Sequence, residues 1–370
     1  VRAKVSDTGE RGFEVFVGGG MGRTPMLGQS VKDFLPGNEL LNYFEAILRV
    51  YNRYGRRDNK YKARIKILLK DLTLEGFASE LEAEWAYLRG GPNTIPDETI
   101  SAMKELFAPP TYNEVETSDP NSDAPATTNR QFARWVSRSV SPHRHPSYGI
   151  VTLSLKKTGI PPGDATATQM DVIADMAERF SFGEVRVTHE QNLVLPHVPR
   201  KYLFELWTIA ASQGLATPNI GLLTDVVCCP GGDFCSLANA KSIPIAESIQ
   251  QRFEDLDYLF DLGPIELNIS GCVNSCGHHH LGHIGILGVD KNNEEWYQIT
   301  LGGREGNSSS IGKVIGPSFA ARDVPDVIEK IIDVYVANRH DEEIFIDTFI
   351  RIGVEPFKFG VYGAKHGTAN

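Results

Sequence analysis

The stretch that decides the fold contains two cysteine pairs, Cys229-Pro-Gly-Gly-Asp-Phe-Cys235 and Cys272-Val-Asn-Ser-Cys276. Together with Cys228 they are the five cysteines of a 370-residue chain. An odd number confined to one window is unlike the even, dispersed cysteines of small secreted domains, so disulfides are the disfavoured interpretation. Four thiolates suit either a zinc ion or an iron–sulfur cluster. Zinc pairs usually enclose about two to four residues, and the longer first spacing favours an iron–sulfur site.

Glycines surround both cysteine pairs. Gly231 and Gly232 lie inside the first pair, and Gly271 and Gly277 flank the second. Because glycine accepts unusual dihedral angles, the backbone can approach a ligand closely and N–H groups can point at sulfur. This environment fits a bulky, anionic inorganic core.

Composition and charge exclude several classes of protein. Apolar residues make up 41% of the chain, which is ordinary for a globular protein with a core and excludes disordered and fibrous classes. No apolar run approaches the length of a membrane span, and no signal peptide opens the sequence. The 37 basic and 47 acidic residues give a net charge of −10, which disfavours binding to nucleic acid or to an anionic membrane. We therefore expect a soluble, cytoplasmic protein.

The chain contains an internal repeat. A strand-like segment, Phe13 to Val17, runs into Gly18-Gly19-Gly20 and is followed by an amphipathic helix with Leu40, Phe44, Ile47, Leu48 and Tyr51 on one face. A shift of 284 positions carries this strand onto Tyr297 to Leu301 without a gap. The same shift pairs the following identical residues: Gly18/Gly302, Gly19/Gly303, Gly22/Gly306, Gly28/Gly312, Ile47/Ile331, Val50/Val334 and Tyr51/Tyr335. The spacing indicates a duplication.

Between the two copies the pattern predicts a linker and a separate domain. Pro109 to Arg130 is polar and rich in Pro, Asp and Thr, which is typical of an exposed linker. The following elements have the order βαββα: Ile150 to Leu155, Ala165 to Arg179, Glu184 to Thr188, Asn192 to Leu195 and Lys201 to Ser212. Further strands are predicted at Ile265 to Ile269 and Ile284 to Val289. The predicted divisions are 1–80, 81–130, 131–220 and 221–370.

The beginning of the sequence suggests that the first copy of the repeat lacks an upstream portion. The sequence starts with Val1 and not with Met, and the first copy of the repeat begins almost at once. We therefore expect this to be the C-terminal part of a longer protein.

The sequence resembles a known family, the sirohaem-dependent sulfite and nitrite reductases. The resemblance rests on Cys-Pro-Gly-x-x-x-Cys-Ser-Leu-Ala from Cys229, and on Ser270-Gly-Cys-Val-Asn-Ser-Cys-Gly277. Arg186-Val-Thr-His-Glu-Gln-Asn-Leu193 is similar to a strand pair of the family's ferredoxin-like half-domain. Gly55-Arg-Arg-Asp-Asn59, with Ala63-Arg-Ile-Lys66, resembles the helix that ends its first sirohaem-binding module. The cysteine segment looks most like that of the bacterial assimilatory sulfite reductases.

The resemblance implies a fold and a set of ligands. The fold would be α+β and internally duplicated, with a ferredoxin-like βαββα half-domain and α/β sirohaem-binding modules. Cys229, Cys235, Cys272 and Cys276 would ligate a [4Fe–4S] cluster, and the Cys276 sulfur would also bridge to the sirohaem iron. Asn274 matches a position near the cofactor, but a turn residue that caps its own loop is an equal alternative.

The resemblance also implies an activity, the six-electron reduction of sulfite to sulfide. Nitrite reduction to ammonia is the alternative within the family, and a non-catalytic iron–sulfur or zinc-stabilised interaction module is the alternative outside it. The electron donor would be a ferredoxin or an NADPH-flavoprotein subunit, because the glycine loops match no nucleotide-binding motif. The Arg and Lys residues that hold the anion are expected upstream of residue 1.

Three other features have two interpretations each. Cys228 departs from the family pattern and is either a buried, inert residue or a reactive thiol. His278, His279, His280 and His283 either pack or face solvent, or they support the haem site or deliver protons to it. The basic run, Arg53, Arg56, Arg57, Lys60, Lys62, Arg64, Lys66 and Lys70, is either a solvated helix face or a surface that pairs with carboxylates of sirohaem or of an acidic donor.

Overall fold

The computed structural model describes residues 1–112 and 129–363. Most of the predicted linker, Pro109 to Arg130, therefore lies outside the described residues. The chain divides into two compact units, residues 1–110 and 111–370, here called the N-terminal unit and the C-terminal unit. The four predicted divisions stay a prediction. Among the described helices, none has both the length and the apolar character needed to cross a membrane.

The N-terminal unit packs three helices with a three-stranded antiparallel sheet of order β1-β2-β3. Its elements are β1 (Arg2–Val5), β2 (Arg11–Val17), β3 (Gln29–Pro36), α1 (Leu40–Tyr54), α2 (Ile65–Leu88) and α3 (Asp97–Leu106). Tyr43, Phe77 and Leu81 are fully buried in its core. A non-helical residue, Thr73, interrupts α2.

Two predictions for the N-terminal unit are wrong. Leu48 does not belong to the buried face of α1, because 61% of it is exposed and the buried face instead turns through Tyr43, Ala46, Ile47 and Val50. The segment from Gly55 to Asn59 is not helical. Helix α1 ends at Tyr54, because Gly55 adopts an extended conformation with a ψ of 142°, and α2 begins only at Ile65.

The C-terminal unit begins with a four-stranded antiparallel sheet of order β4-β5-β7-β6 and its helices. The elements are α4 (Arg130–Ser139), β4 (Val140–Pro142), β5 (Tyr148–Leu153), α5 (Ala167–Phe180), β6 (Arg186–Val187), β7 (Leu193–Pro199) and α6 (Leu203–Ser212). The predicted order βαββα is present in β5 to α6. Helix α4 and strand β4 were not predicted; Phe132 and Trp135 of α4 are buried in this core.

A second sheet of six strands follows, with order β12-β11-β10-β9-β8 and β13 paired with β11. Its strands are β8 (Val227–Cys228), β9 (Leu267–Ser270), β10 (Ile284–Lys291), β11 (Glu294–Leu301), β12 (Lys313–Val314) and β13 (Phe319–Ala320). The helices are α7 (Gly231–Phe234), α8 (Ile243–Arg252), α9 (Leu256–Leu262), α10 (Val324–Asn338), α11 (Phe345–Ile352) and α12 (Glu355–Tyr362). Strands β8, β9 and β10 are parallel.

The two copies of the repeat share helix bounds and strand pairings in the structure. The bounds of α10 are those of α1 displaced by 284 residues. The bridge between Gly20 and Met26 has its counterpart between Arg304 and Ser310 at the same displacement. Val17 pairs with Gln29 in one copy, and Leu301 pairs with Lys313 in the other. Two segments that share pairings as well as helix bounds are two copies of one supersecondary unit.

Candidate metal centre

The first cysteine loop follows β8 and is shaped by glycine. Gly231 has a φ of 58°, and a Cβ atom at this position would lie 2.4 Å from the Ser242 backbone nitrogen. Only glycine combines this dihedral angle with this close approach. The short helix α7 then places Cys235, whose N–H donates to the Gly231 carbonyl oxygen over 2.9 Å.

The second cysteine loop follows β9 and lies beside the first. Strands β8 and β9 are parallel, with Cys228 opposite Ile269, so both loops leave the same edge of the sheet. Ser275 adopts a φ of 59°, in the left-handed region. A Cβ atom on Gly277 would lie 1.9 Å from the Ile269 carbonyl oxygen, and its N–H donates to Ser270 Oγ over 3.1 Å. The second loop is thus folded tightly onto its own strand.

Direct contacts join the two loops around the Cys229 sulfur. The Gly271 N–H points at Cys229 Sγ over 3.1 Å, and Ser242 Oγ lies 3.4 Å from the same sulfur. The Cys229 N–H donates to the Ile269 carbonyl oxygen over 3.1 Å. Backbone N–H groups directed at a thiolate stabilise its negative charge, which is what an iron–sulfur ligand requires.

The four predicted ligands are brought together, and they differ in exposure. Cys229 and Cys272 are buried, Cys235 is half-buried and Cys276 is exposed. Although Cys276 is exposed, the protein around its thiol removes part of its hydration and raises its pKa, and the neighbouring thiols of Cys229, Cys272 and Cys235 raise it further. The thiols of Cys229, Cys272 and Cys235 therefore lie near enough to Cys276 to affect its pKa. Asn274 is exposed at the tip of the second loop.

Within the part of the chain that the structure describes, no three His, Cys, Asp or Glu side chains are placed to hold a single metal ion. A [4Fe–4S] cluster presents a separate iron atom to each of four thiolates, so its ligands surround it and do not converge on one point. The donor set of four thiols, the N–H group aimed at sulfur and the glycine cradles fit such a cluster.

Cys228 lies inside the core and not in the cluster of donors. Only 3% of it is exposed, its Sγ donates to the Cys229 carbonyl oxygen over 3.2 Å, and burial raises the pKa of its thiol. A protonated, buried thiol is a poor nucleophile. The structure therefore favours the interpretation of Cys228 as an inert core residue.

Two of the four histidines after the second loop, His279 and His283, are buried packing groups, whereas His278 is exposed. His279 is buried, its Nδ1 lies 3.1 Å from Ser275 Oγ, and burial lowers its pKa to about 3, with His280 adding to the effect. Burial also lowers the pKa of His283 to about 4, and its Nδ1 accepts the Glu266 N–H over 3.2 Å. Neutral imidazoles at these depths hold the loop in place.

One residue that the sequence analysis did not single out positions the first loop. Gln191 donates from Nε2 to the Cys228 carbonyl oxygen over 2.7 Å, and its Oε1 accepts the Cys228 N–H over 2.8 Å. Gln191 lies in the turn between β6 and β7 with a φ of 60°. The signal that could have revealed it was present, because Gln191 is the Gln of the Arg186-Val-Thr-His-Glu-Gln motif.

A buried lysine crosslinks the same region. Lys156 is completely buried, and its Nζ donates to the carbonyl oxygens of Glu190 over 2.8 Å and Val226 over 2.7 Å, with Asp225 Oδ1 at 3.4 Å. It therefore joins the β6–β7 turn to the segment that leads into β8.

Two cavities adjoin the cysteine region of the C-terminal unit. The smaller, of about 240 Å³, is lined by the carboxylates of Glu190, Asp225, Glu266 and Glu305, and the pKa of Glu266 is raised by burial and then by Glu305 and Glu190. Such a cavity repels anions. The larger, of about 740 Å³, adjoins Cys228 and Cys229 and is mainly apolar. Among the described residues that line them, neither cavity has an Arg or Lys to hold a sulfite or nitrite ion.

The basic run does not form a single helix face. Lys66 is folded back onto the glycine loop, where its Nζ donates to the Thr24 carbonyl oxygen over 2.6 Å. Arg53 pairs with Glu84, and Arg56 pairs with Asp58. Lys60 and Lys62 are exposed in the connection between α1 and α2. The interpretation as a solvated helix face is wrong for this connection, because Gly55 ends α1.

Two family models match the chain. The nitrite and sulphite reductase 4Fe-4S domain matches residues 2–87 and again residues 221–366. The nitrite/sulfite reductase ferredoxin-like half domain matches residues 157–213. The first model thus covers both copies of the repeat, and the second covers most of the elements β5 to α6.

Curated relatives resemble the chain over most of its length. Sulfite reductase [ferredoxin] 1 of Mycolicibacterium paratuberculosis is 26% identical over 361 residues, which are 94% of this chain and 57% of the relative. Sulfite reductase [ferredoxin] of Mycobacterium tuberculosis H37Rv is 27% identical over 92% of this chain and 56% of the relative. The chloroplastic ferredoxin–nitrite reductase of Zea mays is 26% identical over 90% of this chain and 54% of the relative. The chain spans little more than half the length of these relatives.

A solved structure, that of the Mycobacterium tuberculosis NirA protein, has the same fold. The TM-score is 0.70 at 24% sequence identity, covering 96% of this chain and 60% of NirA. The predicted fold class, α+β with a ferredoxin-like half-domain, is confirmed. Proteins of this kind carry sirohaem and a [4Fe–4S] cluster. With its two copies of the 4Fe-4S domain pattern, the chain belongs to the nitrite and sulphite reductase family.

Proposed function

We propose that this chain is part of a sulfite reductase and contributes the ligands of its cluster. Cys229, Cys235, Cys272 and Cys276 would hold the [4Fe–4S] cluster, and the Cys276 sulfur would also bind the sirohaem iron. The observation that carries the proposal is the exposure of Cys276 beside buried Cys229 and Cys272. A bridging sulfur must face the cluster on one side and a second cofactor on the other.

Exposed apolar side chains support a second cofactor at this surface. Phe234 is 79% exposed, Leu237 69% and Val273 40%, and each is one or two residues from a ligand cysteine. Large apolar groups in water are unfavourable, and a planar macrocycle would cover them. When bound, the two cofactors supply single electrons to sulfite, so that SO₃²⁻, six electrons and six protons give S²⁻ and three water molecules. The chain's own contribution is to hold the bridging sulfur on a rigid loop.

The experiment that tests the ligand set compares Cys235→Ser with Cys228→Ser in the full chain. Iron and acid-labile sulfide are measured after anaerobic reconstitution, together with the electron paramagnetic resonance of the reduced cluster. We expect Cys235→Ser to lose the four-iron signal and Cys228→Ser to keep it. Four irons retained in Cys235→Ser, or lost only in Cys228→Ser, would contradict the proposal.

An absorption spectrum separates the proposal from the interaction-module alternative. A Soret band with red-shifted visible bands supports the reductase, a brown shoulder alone supports an iron–sulfur module, and a colourless protein supports zinc.

Nitrite reduction is the second candidate, because relatives named ferredoxin–nitrite reductase also match most of the chain. Steady-state kinetics with both anions distinguishes the two. A much larger kcat/KM for nitrite would overturn the assignment to sulfite.

A ferredoxin is the favoured electron donor, because the matched relatives are named as ferredoxin enzymes. The exposed Lys60 and Lys62 would attract an acidic donor. An NADPH-flavoprotein subunit remains the alternative, and rates measured with each reduced donor separate them. We also propose that the protein is cytoplasmic.

A further inference from the structure

A cluster of histidine and tyrosine side chains lies in the four-stranded part of the C-terminal unit, outside the cysteine loops. His143 follows β4, His197 is in β7, and Tyr112 precedes both in the chain. His197 is buried, while Tyr112 and His143 are half-buried. None of these residues contributes to the function proposed above.

Three donor atoms of this cluster face one another. His143 Nε2 lies 3.1 Å from His197 Nδ1, and Tyr112 Oη lies 3.3 Å from His197 Nδ1 and 3.5 Å from His143 Nε2. Ligands at about 2.0–2.1 Å from a tetrahedral zinc ion are separated from one another by roughly 3.3 Å. The three edges of the triangle therefore match one face of such a coordination sphere.

We propose that Tyr112, His143 and His197 form a site for a divalent transition-metal ion of the zinc type, with a fourth position open to water. Two imidazoles and a phenol oxygen are suitable donors for zinc or cobalt. Because the third donor is the phenol of Tyr112, this site does not conflict with the finding that no three described His, Cys, Asp or Glu side chains are placed to hold one ion.

The outer partners of both histidines have the arrangement found around metal ligands. His197 Nε2 lies 3.2 Å from Glu184 Oε2, and Arg186 Nε donates to the other oxygen of Glu184 over 2.6 Å. A ligating histidine usually donates its second N–H to a carboxylate or to a backbone carbonyl, which fixes its tautomer and orientation. The pair of Glu184 and His197 meets this requirement, and Arg186 holds the carboxylate in place.

His143 has two possible partners at its other nitrogen. Its Nδ1 lies 2.8 Å from the His145 backbone nitrogen and 3.3 Å from the His145 carbonyl oxygen. Donation to the carbonyl leaves Nε2 with a free lone pair, whereas acceptance from the N–H places the proton on Nε2. A metal ion binds the first tautomer, in which Nε2 has the free lone pair. Metal binding therefore favours the tautomer of His143 with its proton on Nδ1.

An aromatic wall encloses the three donors. The Tyr112 ring centroid lies 5.0 Å from that of Tyr148, which is only 1% exposed, and Phe182 lies 6.1 Å from His197. A low-dielectric wall strengthens the attraction between the ion and its ligands. Tyr112 and His143 are half-buried, whereas His197 is buried.

Cobalt binding to the full chain tests the site. The chain is reconstituted with its iron–sulfur cluster, freed of excess metal and titrated with Co²⁺, and Zn²⁺ is then used to displace the cobalt. We expect one equivalent of tetrahedral cobalt without sulfur-to-metal charge transfer. Bands from thiolate-bound cobalt would show binding at the cysteines instead, and no second site would then be supported.

Variants distinguish an ion site from a hydrogen-bonded triad. We expect His197→Gln and Tyr112→Phe each to weaken cobalt binding by about 100-fold or more, and Glu184→Gln by about 10- to 100-fold. His189→Gln, on an exposed histidine, is the matched control and should bind as the wild type does. Circular dichroism verifies that each variant is folded, and His143→Gln replaces any that is not. Absent cobalt binding in the wild type, or equal affinity in His197→Gln and His189→Gln, would overturn the proposal.

Discussion

Gln191 and Cys228 exchange two hydrogen bonds, one in each direction, between a side-chain amide and a backbone peptide group. Cys228 immediately precedes the first proposed cluster ligand, and Gln191 lies in the β6–β7 turn. The paired bonds, of 2.7 and 2.8 Å, therefore tie that turn to the base of the cysteine loop. The base of the cysteine loop is thus held by a residue 37 positions away from Cys228 in sequence.

Gln191→Leu should destabilise the chain and loosen its cysteine loop. The substitution leaves a buried N–H and a buried carbonyl without partners, at a cost of about 1–3 kcal/mol each in the free energy of unfolding. Chemical denaturation measures the loss in the free energy of unfolding. The rate at which a chelator removes the cluster shows how firmly the loop holds it. Gln131→Leu, on the exposed face of α4, is the control and should change neither quantity. Equal behaviour of the two variants would mean that Gln191 does not position the loop.

Gly277→Ala should disrupt the second loop, whereas Gly232→Ala should be tolerated. At Gly277 a Cβ atom would lie 1.9 Å from the Ile269 carbonyl oxygen, so backbone must move. At Gly232, inside the first loop, the nearest atom would be at 3.4 Å, which is ordinary contact. We expect Gly277→Ala to cost at least about 1–3 kcal/mol and to lower cluster occupancy. Iron content and denaturation midpoints provide the comparison, and equal iron content in both variants would contradict it.

Lys156 should make stability depend on pH in the alkaline range. Burial lowers the pKa of Lys156 below its ordinary 10.5, and Asp225 only partly offsets this effect. Between the lowered value and about 10.5 the unfolded chain binds more protons than the folded chain, so the free energy of unfolding rises with pH in that window.

Comparison with Lys156→Met isolates this effect. At neutral pH the variant leaves Asp225 as a buried carboxylate without its cation, and we expect a loss of about 3–5 kcal/mol. The difference in unfolding free energy between wild type and variant should grow as pH rises through the window. A difference that falls over this range would show that the pKa of Lys156 is raised and not lowered.

Local patterns were sufficient to predict the repeat. Gly18, Gly22, Ile47 and Tyr51 are each identical to the residue 284 positions later, and this spacing predicted that the strands and helices of the two copies correspond. The structure agrees, because the pairing of Val17 with Gln29 recurs as that of Leu301 with Lys313. Helix α5 was also predicted nearly in full, at Ala165 to Arg179 against the observed Ala167–Phe180, and the structure shows a capping box of Thr166 and Gln169 at its start.

Contacts between distant residues were not predictable from one sequence. The pairing of Gln191 with Cys228, and the meeting of Tyr112 with His197 across 85 positions, depend on how sheets and turns pack in three dimensions. The position of Gly55 illustrates a local failure. Its neighbours suggested a helix, but Gly55 adopts an extended conformation with a ψ of 142°, and helix α1 ends before it.

The duplicated helices provide the last prediction, because equivalent positions have different surroundings. Leu48 of α1 is 61% exposed, whereas its counterpart in α10, Ile332, is fully buried against the core of the C-terminal unit. Ile332→Ala should therefore cost about 2–5 kcal/mol, while Leu48→Ala should change stability by about 0.5 kcal/mol or less. Equilibrium denaturation of both variants measures the two costs. Similar losses would mean that the face of α1 around Leu48 is covered in solution, and the position would then be as constrained as its repeat partner.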